Sequence, residues 1–385
     1  MSSDRQQVSG TEMGALLFMF LFGSSFTLPM AAVAKHDAWL SILSALAAGT
    51  CLAWLYAHLC QSFPGRTIIE ITEQLLGKWT GKGIGLLYAW YSFHLGVLVL
   101  KNFTVLISSV GLTKTPTFVS ALPLLAIMLW VTFQGIDVLS RCAVVLLAFI
   151  VLEIVVSVIL LSPDFHFEYL LPLFDQGWRP VVKGALESTA FPFGETVLFA
   201  FVLPKLSKHS RAVKTTVGFT LAAGLLLWIG QTRNLLVLGD LVSNLIYPTY
   251  SAYQYVSIAD FIERIEPMVF MTEVASVFVK LSICFYVTTL ALSQVFQTEE
   301  RHRAVYYVPI ALLILEMNFF IYKNSADMYQ FSEIWPYYSM PFQILIPLLL
   351  WVVMRIKRRT SAQTSDPHGK TPDQTRRPAD GTGDL

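Results

Sequence analysis

Charge is what this chain has least of. Asp, Glu, Lys and Arg together make up 14% of its 385 residues, against about 25% in soluble domains. The deficit runs along most of the sequence, which excludes a soluble domain with one anchor and points to a polytopic α-helical membrane protein. Cysteine is scarce as well. Cys51, Cys60, Cys142 and Cys284 lie in or at the ends of apolar runs without metal-like spacing, and read as small hydrophobes rather than a disulfide framework. Whole motif classes are missing. No Gly-x-x-x-x-Gly-Lys-Ser/Thr loop cradles nucleotide phosphates, so ATP-driven transport by this chain alone is not expected. No His-Glu-x-x-His pair or Gly-x-Ser-x-Gly elbow supplies a metal site or nucleophile, so no catalytic residue, metal ligand or cofactor is assigned and no enzyme is expected. Nothing suggests nucleic acid as a partner. The first apolar run begins near Met13 without a small-residue cleavage pattern, so no cleavable signal peptide is expected.

What is present is hydrophobic sequence, 55% of the chain at a mean hydropathy of +0.58. At about 20 apolar residues per crossing, ten spans are expected, near 13–34, 40–60, 83–107, 117–134, 142–162, 185–203, 214–238, 268–293, 304–322 and 335–355. The lipid bilayer is thus a partner. If both termini face the cytoplasm, the cytoplasmic segments hold fifteen basic residues before the far tail is counted, with Lys205, Lys208, Arg211 and Lys214 the densest group. The opposite loops hold six: Lys35, Lys114, Arg179, Lys183, Arg264 and Lys323. The positive-inside rule therefore puts both termini in the cytoplasm. Residues 1–12 form a cytoplasmic segment, 13–358 the membrane domain, and 359–385 a tail without aromatic residues that is expected to be disordered. Amphipathic helices are expected over 66–78 on the inside and 248–266 on the outside. Trp39, Trp54, Trp79, Trp178, Trp335 and Tyr337 are expected to form aromatic belts.

Two spans contain helix breakers. Span 6 carries Phe191-Pro192-Phe193-Gly194-Glu195, where Pro192 has no N–H and clashes with the preceding turn, and Gly194 accepts dihedrals other residues avoid. A carboxylate beside such a break is expensive at bilayer depth and is normally kept where a cavity or ligand compensates it. Span 1 carries Gly23-Ser24-Ser25-Phe26-Thr27-Leu28-Pro29. If ten spans divide as five plus five, spans 1 and 6 correspond, and interrupted segments at matching positions point to an inverted-repeat transporter site at the midplane. Freed N–H groups suit a substrate carboxylate, and freed C=O groups, hydroxyls or an acidic side chain suit an ammonium. Gly23, Ser24, Ser25 and Thr27, with Phe191, Pro192, Phe193, Gly194 and Glu195, are the candidate ligand-binding residues. Phe193 is a candidate gate or pocket wall. Glu195 suits either a ligand ammonium or a basic residue that holds the unwound segment.

Ten spans, a short polar start and the Pro192-Phe193-Gly194-Glu195 element resemble the spore germinant receptor B subunit (spore permease) family, over about residues 8–358. That family lies within the amino acid–polyamine–organocation transporter superfamily. Phe191 departs from the tyrosine common at its position. The resemblance implies the inverted-repeat fold of the bacterial leucine transporter, with spans 1 and 6 unwound at mid-membrane. It further implies a protein of the endospore inner membrane that senses a small germinant, typically an amino acid, with a larger A subunit and a lipoprotein C subunit as partners. The alternative is a stand-alone proton- or sodium-coupled amino acid transporter.

Other polar residues sort around that frame. Lys280, in the middle of span 8, is a costly charge. The superfamily binds sodium between spans 1 and 8, or a lysine ammonium in proton-coupled relatives, so the resemblance implies that Lys280 bridges span 1 carbonyls there. A buried ion pair with Glu273 or Glu153 is the other reading. Glu153 is a candidate proton acceptor or partner of Lys280, and Glu273 is expected near the solvated outer end of span 8. Thr288 and Thr289 are expected to bond back to the preceding turn. His94 and Lys101 share a face of span 3, with Lys101 expected to snorkel outward. Glu187 is expected to cap the start of span 6, and Arg233 to pair with Asp240.

Overall fold

The computed structural model describes residues 7–26, 28–111, 114–207, 210–254, 266–322 and 325–364. Thr27, Lys208, Arg264, Lys323, the stretch 255–265 and the tail 365–385 lie outside the described residues. Every regular element among the described residues is helical, apart from one isolated parallel bridge between Val8 and Leu206.

The helices are α1 Gly10–Phe22, α2 Ala38–Ser62, α3 Ile68–Leu76, α4 Lys78–Leu106, α5 Thr117–Gln134, α6 Ile136–Leu161 and α7 Trp178–Ala190. There follow α8 Ala212–Leu238, α9 Pro248–Tyr253, α10 Glu266–Val295, α11 Tyr307–Phe320, α12 Ser325–Met340 and α13 Ile346–Thr364. Among the described residues, eight helical stretches are long and apolar enough to cross a membrane. They correspond to expected spans 2–5 and 7–10. The two expected spans not among them are spans 1 and 6, each of which is split. Span 1 is α1 followed by a 3₁₀ turn, Gly23–Ser25. Span 6 is α7, an extended Phe191, and a 3₁₀ stretch, Phe193–Phe201.

Local sequence explains the boundaries. Capping boxes start α1 (Ser9 with Glu12) and α3 (Thr67 with Glu70), each satisfying two of the N–H groups that a helix start leaves unbonded. Helix α3 is the amphipathic segment expected over 66–78, and it buries Ile68, Ile69, Ile71 and Leu75. Of the segment expected over 248–266, α9 is described. Helix α13 continues to Thr364, past the expected start of the tail. The α-helix of span 1 ends at Phe22, capped by Gly23 in a non-helical conformation, instead of reaching residue 34. Span 6 begins at Trp178, seven residues ahead of the expected start, so Arg179 and Lys183 are helical rather than in a loop.

Ten consecutive residues of α1, Met13 to Phe22, are buried. A helix apolar all round belongs at the centre of a bundle, and α1 is packed by α6, α8 and α10. Trp54, Trp79, Trp178 and Tyr337 are exposed as a belt requires, whereas Trp335 is buried. The end of the bundle holding Val8 and Leu206 is tied by Val8 N–H to Lys205 O and Ser207 N–H to Val8 O, both 2.9 Å. The opposite end is knit by His36 Nδ1 to Asp240 Oδ1 at 3.1 Å and by Phe174 N–H to Asp37 Oδ2 at 2.9 Å.

Candidate ligand-binding site

The break in span 1 frees backbone carbonyls, and side chains from other spans take most of them. Ser276 of span 8 donates to Gly23 O at 3.2 Å. Gln231 of span 7 donates to Ser25 O at 3.0 Å and to Leu28 O at 3.2 Å. Thr249 on α9 donates to Phe26 O at 2.5 Å. Ser24 O accepts the Leu28 N–H at 3.2 Å. The protein thus supplies each of these carbonyls with a donor of its own, as buried carbonyls require. The Ser25 hydroxyl is buried without a partner among the described residues.

The break in span 6 is braced by span 10. There a π-helical turn, Pro341–Leu345, widens the helix at a proline. Its carbonyls are used: Tyr88 donates to Phe342 O at 2.8 Å and Tyr56 to Gln343 O at 2.6 Å. The Gln343 amide in turn donates to Ala190 O, the last carbonyl of α7, and to the Tyr91 hydroxyl, both at 2.9 Å. Trp335 Nε1 also donates to Ala190 O, at 3.4 Å. Gly194 is required here, since a Cβ at that position would overlap the Gln343 amide. Phe193 is fully buried against Gly49 and Gly224, where a Cβ on either glycine would overlap neighbouring side chains.

The two breaks meet at a charge pair. Lys280 Nζ lies 2.7 Å from Glu195 Oε2, and both side chains are 0% exposed. The ammonium also lies 4.7 Å from the Phe191 ring centroid and 5.3 Å from that of Phe20, within cation–π range. Gly23 makes room for the lysine, because a Cβ there would overlap the Lys280 chain. One pair thus joins span 8 to span 6 across the span 1 break.

A cavity of about 430 Å³ leads to this pair from the end of the bundle that holds the span 1–2, 7–8 and 9–10 connections. Leu28 to Val33, after the span 1 break, form one wall, and Phe191 and Glu195 of span 6 form its inner part. Leu95, Leu98 and Val99 of span 3 with Phe331 and Trp335 of span 10 add an apolar part, while Lys35, Asn102, Glu187, Ser243, Asn244 and Glu333 add polar groups to the lining. The volume is ordinary for a small-molecule site.

Of the candidate residues, Phe191 and Glu195 line this cavity, Gly23 and Gly194 provide clearance around Lys280 and Gln343, and Phe193 packs away from the cavity wall. Phe191-Pro192 is a cis peptide bond. Thr27 lies outside the described residues. Lys280 pairs with Glu195 rather than with Glu153 or Glu273. Glu153 accepts from Tyr253, and Glu273 is buried rather than solvated. Arg233 bonds Ser157, Asn234 and Tyr253, while Asp240 meets His36. Glu187 is in the last turns of α7, 3.7 Å from Lys183, and not at its start. Thr288 and Thr289 bond back to Cys284 and Phe285 at 2.8 and 3.1 Å. His94 meets Tyr338 at 3.0 Å, and Lys101 is buried. Gln231, Gln343, Thr249 and Tyr56 went unsuspected in the sequence. A glutamine inside an apolar span was the available signal for the first two.

Known proteins resemble this chain in both sequence and shape. It is 25% identical over 375 residues to spore germination protein KB of Bacillus subtilis (strain 168), covering 95% of this chain and 100% of that protein. It is 22% identical over 328 residues to spore germination protein YndE of the same organism, covering 84% and 88%. Among solved structures it is similar to Mhp1, a nucleobase-cation-symport-1 family transporter in a closed conformation with bromovinylhydantoin bound. That match has a TM-score of 0.66 and 13% identity, covering 89% of this chain and 78% of that one. MhsT in complex with L-phenylalanine matches at a TM-score of 0.57 and 13% identity, covering 91% and 99%. The likeness to solved structures establishes the leucine-transporter-like fold of a multi-pass membrane protein. The profile described as "Spore germination protein" matches residues 7–328, so the chain belongs to the spore permease family of spore germination proteins.

Proposed function

We propose that this protein is the transporter-like subunit of a spore germinant receptor, in the endospore inner membrane with both termini cytoplasmic. A small germinant, most simply an amino acid, enters the cavity from the extracytoplasmic side. Closure around it passes a conformational signal to a larger A subunit and a lipoprotein C subunit. The observation that carries this reading is the cavity itself, which joins both broken spans and ends on the buried carboxylate of Glu195. The carbonyls of Gly23 to Phe26 and of Leu28 already accept bonds. Of the three carboxylates lining the cavity, Glu187, Glu195 and Glu333, Glu195 is the one at the span 6 break, suited to a ligand ammonium with Lys280 behind it. The apolar walls of spans 3 and 10 suit the ligand's side chain. Binding shifts a pre-existing equilibrium by its differential affinity for the closed form.

The test is the response of spores to a panel of L-amino acids. Val33→Trp fills the cavity from a half-buried position, and should raise the concentration for half-maximal germination about tenfold or more, a loss of roughly 1.4 kcal/mol of binding. Glu195→Gln should do the same. Wild-type sensitivity in Val33→Trp at normal protein level would remove the cavity from the mechanism. A second reading, a stand-alone proton- or sodium-coupled amino acid transporter, is favoured by the likeness to transporters holding small ligands. Uptake of radiolabelled amino acid by proteoliposomes containing this chain alone would select it.

A further inference from the structure

Away from the Glu195–Lys280 pair, the structure buries another cationic side chain almost completely, for which the reading above has no use. Arg233, near the outer end of span 7, is 1% exposed. Its guanidinium donates to Asn234 Oδ1 at 2.8 and 3.3 Å, to the Ser157 hydroxyl, and to the Tyr253 hydroxyl at 3.3 Å. Tyr253 in turn donates to Glu153, which is how a buried guanidinium is linked to a buried carboxylate here. The aromatic rings of Tyr253 and Phe26 lie 5.0 and 5.8 Å from the guanidinium carbon.

The chain of bonds does not end at Asn234. The Asn234 amide donates to Thr249 Oγ1 at 2.9 Å, and that hydroxyl donates to Phe26 O in the broken part of span 1. Thr249 and Tyr253 are four apart on α9, so both lie on its inner face, and both are fully buried. A six-residue helix cannot hold itself together. Its place is set by these bonds and by its packing on α8 and α10. The same connection between spans 7 and 8 supplies Ser243 and Asn244 to the cavity wall, and the limb after Phe26 supplies Leu28.

We propose that the Thr249 hydroxyl, held in place by Asn234 and Arg233, is a latch that ties α9 to the limb of span 1 that walls the cavity, so that the two move as one when the cavity closes. Arg233 touches no part of the cavity. It acts by fixing the Asn234 amide, which leaves the Thr249 hydroxyl proton free to bond Phe26 O. The role in closure rests on the cavity being the germinant site, whereas the latch itself does not.

The experiment separates the two. Ala252, fully buried on α9, is replaced by Cys in a chain carrying Cys51→Ser and Cys142→Ser, and maleimide labelling is followed on the full chain in detergent. Thr249→Val removes the hydroxyl at constant shape, and Thr249→Ser keeps it. Labelling should rise roughly fivefold in Thr249→Val, as expected when local opening loses one buried bond, and stay at the parent rate in Thr249→Ser. The germinant concentration for half-maximal response should rise by a similar factor in Thr249→Val spores. A parent labelling rate in Thr249→Val overturns the latch, whatever the cavity binds. Raised labelling with an unchanged germinant response upholds the latch and counts against the cavity as the germinant site.

Discussion

The two broken spans solve the same problem with different materials. At span 1, freed carbonyls are taken up one at a time by neutral donors from three other elements: Ser276, Gln231 and Thr249. At span 6, one amide, that of Gln343, takes the last carbonyl of α7, and a full charge pair fills the space beside the break. The difference follows from what each break exposes. Span 1 leaves partial negative charges, for which hydroxyl and amide donors suffice. Span 6 introduces Glu195, a whole charge, which a membrane interior tolerates only with a cation alongside. The span 6 break is therefore the one that carries a full charge pair, and the span 1 break is held by neutral donors alone.

The largest expected effect tests the charge pair. Lys280→Met strands Glu195 without its cation, at a cost of about 3–5 kcal/mol, and should lower the thermal unfolding temperature in detergent more than any other variant named here. The double variant Lys280→Met with Glu195→Gln should recover much of that loss. Strictly additive losses would mean the two residues do not act as a unit.

Next come the clearances. Gly23→Ala should cost about 1–3 kcal/mol by forcing Lys280 aside, and Gly194→Ala a similar amount by displacing Gln343. A tolerated Gly23→Ala, read by the same melting assay, would mean that Lys280 is not held where span 1 breaks.

Two glutamines sharpen the contrast further. Gln231→Leu leaves the carbonyls of Ser25 and Leu28 without their donor and should cost about 1–2 kcal/mol. Gln343→Leu should cost a comparable amount, because Trp335 still reaches Ala190 O while Tyr91 loses its bond. A Gln231→Leu protein as stable as the parent would show that span 1 needs no such donors.

Ser276→Ala should have the smallest effect, about 0.6 kcal/mol, the average for a hydrogen bond between membrane helices. Its hydroxyl also bonds Thr272 O at 2.8 Å, so Gly23 O has only part of its attention. A loss as large as that of Gln231→Leu would place Ser276 among the main supports of the break.

The breaks themselves were legible because proline and glycine act through their own backbone. Pro192 stops the ladder wherever the chain goes and Gly23 accepts a non-helical conformation, and the structure splits span 6 at Phe191-Pro192 and ends the α-helix of span 1 at Phe22. Boundaries followed less well where a polar stretch turned out helical: Arg179 and Lys183 belong to α7 because that helix reaches past the apolar run that marked span 6.

The partners were not legible. Lys280 was visible as an expensive charge, and Glu195 as one suited to a basic residue, yet sequence also offered Glu153 and Glu273 to Lys280. Only the packing of span 8 against the span 1 break selects Glu195. Trp335 looked like a belt residue and is a buried donor to Ala190 O, since aromatic residues near an interface read alike from either side of a helix. Gln231 and Ser25 are 206 residues apart, a pairing no local rule connects.

Sequence by itself determined that the chain lives in a membrane, where its spans break, and that a carboxylate sits at one break, because hydropathy and backbone stereochemistry are properties of a few neighbouring residues. Tertiary structure alone decided which groups meet that carboxylate, which carbonyls remain to be satisfied and by whom, and that a cavity reaches the pair. Those depend on which helix faces approach one another, and in a bundle apolar on nearly every face the sequence leaves that choice open until the chain is packed.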